Sequence, residues 1–108
     1  KDSNPFWHSY KICRTIYAMK NVKEANLLLE DFIADWGDQE RPFVAEVYAF
    51  RNDKDEAFKW LELAYNNKDS SLLRVLNYPS MQNLWGDPRW NKFIHKLKLP
   101  AEHQFHLD

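Results

Sequence analysis

Hydrophobic residues recur along much of this chain at intervals of three and four residues, which places them on one face of an α-helix. The first such stripe runs through residues 6–20, a segment without glycine or proline. Its predicted buried positions are Ile12, Cys13, Ile16 and Met19. A second, longer stripe comprises Ala25, Leu28, Leu29, Phe32, Ile33 and Trp36. The pattern therefore predicts two consecutive amphipathic helices at the start of the sequence.

Polar and turn-forming residues at the ends of the stripes predict where the helices begin and end. Asn21 followed by Glu24 is a variant of the capping box at the start of the second helix. Gly37 directly follows the last apolar residue of that helix, where we expect a left-handed C-terminal cap. Asp53 followed by Glu56 repeats the capping signal before a fourth helix.

Beyond the second helix, the pattern predicts a short third helix, a fourth helix and several brief segments. The third helix opens near Pro42 and carries Val44, Val47, Tyr48 and Phe50. The buried side of the fourth is formed by Ala57, Trp60, Leu61 and Ala64. A short apolar segment then ends before Pro79, and Ser80 is predicted to cap a brief turn. Asp87 opens a last amphipathic helix.

The composition fits a small helical domain and argues against several classes of protein. The 108 residues have the size of one domain, and two glycines are few for a sheet-rich fold with many tight turns. The formal charge of −1 gives no cationic excess for binding nucleic acid directly. No apolar run approaches the roughly 20 residues that cross a bilayer, so we expect no membrane insertion. An all-α domain is therefore predicted, with its compartment open and the cytoplasm slightly favoured.

The four long predicted helices form two pairs whose second helices align. Ala25 aligns with Ala57 and Leu29 with Leu61, which gives a period of 32 residues. Periods of this size are typical of arrays of helical hairpins. The sequence begins at Lys1 instead of methionine, so we expect a piece cut from a longer protein.

The second pair resembles a tetratricopeptide repeat. Ala45 stands at the small position of its first helix and Tyr48 at the aromatic one, and the second-helix signature is matched by Ala57, Leu61 and Ala64. The first pair is a weaker match, with Cys13, Ile16 and Phe32 at the corresponding positions. The segments AFKWLELAY, LNYPSMQNLWGDPRW and KLKLP resemble the closing part of bacterial tetratricopeptide arrays.

This resemblance implies antiparallel helix hairpins stacked as a short right-handed α-solenoid with a C-terminal capping helix. Residues 5–37 would form a degenerate repeat, 38–68 a repeat and 70–100 the capping helices, with 101–108 a frayed tail. It further implies a protein–protein interaction module, from a larger bacterial protein, that binds a peptide or helix on its concave face. The alternatives are an architectural cap of a repeat array, or a regulatory segment attached to a transcriptional regulator or nucleotide cyclase.

The first helix of each hairpin lines the concave face in proteins of this kind. The predicted partner-binding residues are Trp7, Tyr10, Arg14 and Tyr17 of the first helix, on the side away from Ile12, with Glu46 and Phe50 of the third. Aromatic and arginine side chains are frequent anchors of protein interfaces. An alternative is that Phe6 and Trp7 cover a truncated stacking surface, through which two copies of the chain would pair.

The other candidate residues give little indication of carboxylate binding, metal binding or catalysis. The positions that match the carboxylate clamp of some tetratricopeptide domains hold Tyr10, Arg14 and Phe43, so only Arg14 remains to pair with one acidic group. Cys13 is predicted to be a core residue. His103 and His106 lack further ligands for a metal site. No phosphate-binding loop or catalytic motif occurs, so we expect no enzyme activity, metal or cofactor.

Overall fold

A computed structural model describes residues 5–97, and in that range all of the regular secondary structure is helical, without a strand. The helices are α1 (Pro5–Ala18), α2 (Val22–Trp36), α3 (Arg41–Phe50), α4 (Lys54–Asn66), α5 (Leu72–Val75), a 3-10 helix (Pro79–Leu84) and α6 (Pro88–Lys96). The predicted all-α class is confirmed. The tail predicted over residues 101–108 lies outside the described residues.

The short helix α3 lies at the centre of the domain. It packs mainly against α4, and it also contacts α1, α5 and the 3-10 helix, while α1 packs mainly against α2. Seven of the ten residues of α3 are buried: Pro42, Phe43, Val44, Ala45, Glu46, Val47 and Ala49. A helix with apolar side chains nearly all round is enclosed by neighbours, which explains why α3 organises the fold.

Polar contacts between the hairpins join residues that are 34 positions apart. The pairs are Tyr17 with Arg51, Glu46 with Ser80, Ala49 with Asn83 and Glu62 with Lys96. The first pair joins α1 to the end of α3, the next two join α3 to the 3-10 helix, and the last joins α4 to α6. The same sequence separation therefore recurs along the domain.

The buried side of α1 differs from the prediction. The residues that it buries are Phe6, Tyr10 and Cys13. Met19 is 69% exposed, and Ile12 and Ile16 are half-buried outside the core cluster. The expectation that Tyr10 lies on the side away from the core is therefore wrong. Burial of two large aromatic rings outweighs burial of the isoleucine stripe, because apolar stabilisation grows with the area removed from water.

Residues with a left-handed backbone conformation occur in the turns, at positions that the sequence did not predict. Gly37 has φ −53° and ψ −44°, so the predicted left-handed cap is wrong. A Cβ at Gly37 would lie 2.5 Å from the carbonyl oxygen of Ile33, so glycine is favoured here because the backbone of Ile33 lies too close for a side chain. Positive φ angles occur instead at Lys20, Asn52 and Lys68, which follow α1, α3 and α4.

Replacing Lys68 by glycine is expected to raise the free energy of unfolding by roughly 0.5–1 kcal/mol. Lys68 has a φ of 55°, where a Cβ is strained, and glycine removes that strain at the cost of a more flexible unfolded chain. Urea denaturation measures the change. The matched control is Lys59→Gly inside α4, which should lower stability by about 1 kcal/mol. Equal losses in the two variants would contradict the prediction.

The predicted caps agree with the structure in part. The Asn21 side chain accepts a hydrogen bond from the backbone N–H of Glu24, and Asp87 accepts one from the N–H of Arg89, as predicted. Asp53 makes no capping hydrogen bond with its side chain, so that capping box is wrong. Ser80 does not cap the 3-10 helix either, since its hydroxyl donates to Glu46.

Below pH 4 the wild type is expected to lose stability relative to the Asp87→Asn variant. Hydrogen bonds from the side chain and backbone of Arg89 lower the pKa of Asp87 to about 2, against 3.8 ordinarily. A pKa that is lower in the folded state favours folding of the ionised form, so this stability is complete above pH 4 and is lost as the pH falls towards 2. Thermal melting followed by circular dichroism from pH 6 to pH 2 measures it, and parallel profiles would contradict the prediction.

Candidate functional site

A buried carboxylate ties three helices together at the middle of the domain. Glu46 of α3 is only 1% exposed. Its Oε1 accepts a hydrogen bond of 2.6 Å from the hydroxyl of Tyr10, and its Oε2 accepts one from the hydroxyl of Ser80. The Nε of Arg14 lies 3.5 Å from Oε1. Because Tyr10 and Arg14 are four residues apart on α1, both side chains reach the same carboxylate.

The Tyr10 hydroxyl stays protonated and so remains a hydrogen-bond donor to Glu46. Burial raises the pKa of Tyr10 above its ordinary value of 10, and the neighbouring Glu46 raises it further. The tyrosine therefore keeps its proton at every physiological pH. A buried polar group with its partners in place fixes the geometry around it, so Tyr10 and Glu46 position α1 against α3.

Two arginines and two aromatic rings form a continuous stack between α1 and the end of α3. The guanidinium carbon of Arg14 lies 4.4 Å from the centre of the Phe50 ring. That ring lies 6.3 Å from the ring of Tyr17 at an interplanar angle of 68°, and the guanidinium of Arg51 lies 4.5 Å from Tyr17. Such cation–ring contacts hold the guanidinium groups in place, and that of Arg51 also donates a hydrogen bond to the side-chain oxygen of Asn26. We call these four residues the Arg14–Arg51 stack.

A depression of about 300 Å³ opens beside this stack, at the turn between α1 and α2. Its walls are formed by Tyr17, Ala18, Lys20, Val22 and Phe50. Two of these residues, Tyr17 and Phe50, also belong to the stack. Val22 is 48% exposed, and Lys20 supplies the charge. We call this feature the α1–α2 depression.

The six predicted site residues all lie on α1 and α3, but Trp7 belongs neither to the Arg14–Arg51 stack nor to the lining of the α1–α2 depression. Trp7 is half-buried, with its ring 5.9 Å from that of Tyr10. Tyr10 and Glu46 are buried and support the surface from below. Arg14 keeps 35% of its side chain exposed, and Tyr17 and Phe50 are half-buried, so these three are accessible to a partner.

Sequence reasoning missed four residues of the site, namely Lys20, Val22, Arg51 and Ser80. Arg51 and Ser80 follow Tyr17 and Glu46 by 34 residues. A search at that separation would have found both, whereas the period of 32 residues that the alanines indicate does not. No sequence pattern indicated Lys20 and Val22, because their position in the depression depends on how the turn after α1 folds.

Two further sequence predictions concern metal binding and Cys13. Over residues 5–97, no group of three or more His, Cys, Asp and Glu side chains is arranged to hold a metal ion. His103 and His106 lie outside this range. Cys13 is 2% exposed, which confirms the core prediction, and burial raises its pKa to about 11. The thiol is therefore protonated near neutral pH and is a poor nucleophile.

None of the helices between residues 5 and 97 has both the length and the apolar character needed to cross a membrane. No protein-family model, curated protein or solved structure matches this chain.

Proposed function

We propose that this chain is a tetratricopeptide-like interaction module that binds a helix or an extended segment of another protein across α1 and α3. The observation that carries the proposal is the Arg14–Arg51 stack, which presents two guanidinium groups and two aromatic rings on one partly exposed surface. Arginine and tyrosine are enriched among the residues that dominate binding energy at protein interfaces.

Four polar contacts between the hairpins share one sequence separation, which supports a repeat architecture. Tetratricopeptide repeats have a period of 34 residues, which is the separation of the pairs Tyr17–Arg51, Glu46–Ser80 and Glu62–Lys96. In this interpretation the 3-10 helix and α6 take the places of a third hairpin. The first helices, α1 and α3, would then line the concave surface that carries the stack.

The buried network supports a binding role because it holds the surface rigid before a partner arrives. Glu46 receives hydrogen bonds from α1 and from the 3-10 helix, and its carboxylate lies beside Arg14. A side chain held in its bound position loses less conformational entropy on binding. Arg14 is thus positioned over Phe50 in the free protein.

Selection of binding peptides followed by NMR mapping tests the proposal. A phage-displayed library of random peptides is panned against the immobilised domain, and an enriched peptide is titrated into ¹⁵N-labelled protein. We expect the shifted signals to cluster at residues 14–22 and 50–51, including the side-chain Nε–H groups of Arg14 and Arg51. Failure to enrich any peptide, or shifts centred on α4 and α6, would contradict the proposal.

A second candidate function is self-association through α1 and α2. Met19 and Leu27 are 69% and 56% exposed, and Ile12 and Ile16 lie outside the core. Within their bounds, α1 carries two basic and no acidic residues, whereas α2 carries four acidic residues and one lysine. A two-fold dimer that places α1 of each copy against α2 of the other therefore has complementary charge.

Light scattering after size exclusion is expected to show a dimer that dissociates on dilution. The double variant Ile12→Ser, Met19→Ser should be monomeric at every concentration, because it removes apolar area from the pairing face. Leu73→Ser is the control, since Leu73 is 52% exposed on α5, outside that face. A wild type that stays monomeric up to high concentration would exclude this candidate.

A further inference from the structure

We infer that the partner segment is acidic and carries a large apolar side chain next to its carboxylates. The apolar side chain would fill the α1–α2 depression, and the carboxylates would pair with Lys20 and Arg14. This inference rests on the proposed function, since it specifies the chemistry of the partner that the same surface binds.

The depression is suited to one large apolar side chain. Its volume of about 300 Å³ lies at the lower end of the roughly 300–1,000 Å³ that ligand pockets occupy. The rings of Tyr17 and Phe50 and the side chains of Ala18 and Val22 provide apolar walls. Removing the exposed part of Val22 from water would favour binding by the hydrophobic effect.

One positive charge without an ion-pair partner borders this depression, and a second lies nearby on Arg14. Lys20 is exposed and forms no ion pair with any residue of the described range, and it is the only charged residue in the lining. Arg14 approaches Glu46 through Nε at 3.5 Å, and that nitrogen makes no hydrogen bond within residues 5–97. Because Nε is buried and the side chain as a whole is 35% exposed, a partner carboxylate would reach the terminal nitrogens of the Arg14 guanidinium, by a charge-assisted hydrogen bond.

The charge changes on the other side of Tyr17, which restricts where the acidic groups can lie. A neighbouring depression of about 380 Å³ is lined by Arg51 together with Glu30 and Asp53. Two carboxylates against one guanidinium mean that the lining of that depression is not positive as a whole. Arg14 already lies beside the Glu46 carboxylate, so the positive charge without a carboxylate partner is at Lys20, and the acidic residues of the partner should lie on that side.

The peptides enriched by panning test the inference through their composition. We expect them to share an aromatic or aliphatic residue flanked by Asp or Glu. One such peptide is then synthesised with a neutral counterpart in which Asn and Gln replace the acids. By fluorescence anisotropy, the neutral peptide should bind roughly tenfold more weakly, and the affinity of the acidic peptide should fall with added salt.

A charge reversal at Lys20 separates the inference from the proposed function. Lys20→Glu should weaken the acidic peptide about tenfold and should affect the neutral peptide little, since like charges repel. Lys59→Glu makes the same change at an exposed position of α4 and should leave both affinities unchanged. Enriched peptides that map to the stack but lack acids, or that ignore Lys20→Glu, would overturn the inference and leave the proposed function standing. If no peptide is enriched, both fall.

Discussion

Replacing Phe43 by alanine is expected to lower the free energy of unfolding by about 3–5 kcal/mol, the range for removing a buried aromatic ring. Phe43 is 1% exposed at the start of α3. Its ring lies edge-on, at centroid distances between 5.2 and 5.9 Å, against four aromatic neighbours: Phe6, Trp7, Tyr10 and Tyr78. A cavity there would remove contacts of α3 with α1 and with the residue that precedes the 3-10 helix at once.

Urea denaturation with linear extrapolation measures this loss. Phe43→Leu is the conservative comparison, and it should cost about 1–2 kcal/mol because most of the apolar volume is retained. Leu73→Ala is the surface control, with an expected change within about 0.5 kcal/mol, since Leu73 is half-exposed. If Phe43→Ala is as mild as Leu73→Ala, the aromatic cluster does not stabilise the fold as argued.

The Glu46→Ala variant is expected to lose about 3 kcal/mol of stability. The substitution leaves the buried hydroxyl of Tyr10 and the hydroxyl of Ser80 without their acceptor, and it removes the carboxylate beside Arg14. An unsatisfied buried donor costs about 1–3 kcal/mol, and a charge that loses its partner adds to this. The loss should therefore exceed that of a simple truncation.

Two companion variants show whether hydrogen bonding is the cause. Glu46→Gln keeps an oxygen acceptor and should lose only about 1 kcal/mol, because a neutral hydrogen bond replaces a charge-assisted one. In Glu46→Ala combined with Tyr10→Phe, the donor is removed together with its acceptor, so the combined loss should be smaller than the sum. Additive losses would mean that Tyr10 and Glu46 are not coupled.

Stability at Glu46 and binding at the surface are linked by one side chain. Arg14 lies between the buried carboxylate of Glu46 and the half-buried ring of Phe50. Its Nε is 3.5 Å from Oε1 of Glu46, and its guanidinium carbon is 4.4 Å from the centre of the Phe50 ring. Removing the carboxylate should therefore loosen the guanidinium as well as the helices. In the folded fraction of Glu46→Gln, we expect weaker peptide binding without a change in the mapped surface.

The secondary structure could be predicted from the sequence because its causes are local. Apolar spacing placed the helices, and the caps at Asn21 and Asp87 form between residues two or three positions apart. Among the predicted caps that failed, the one at Ser80 has a distant competing partner. Ser80 bonds with Glu46, 34 residues away, instead of with its own helix.

The sequence by itself determined the all-helical class and the order of the helices. Only the tertiary structure decided which residues of α1 and α3 face the interior. α1 carries two apolar stripes, and periodicity alone cannot rank Phe6 and Tyr10 above Ile12 and Ile16. The choice depends on the area that each stripe buries against α2 and α3. For that reason Tyr10 and Glu46 are buried beneath the site, while Arg14, Tyr17 and Phe50 lie at the surface.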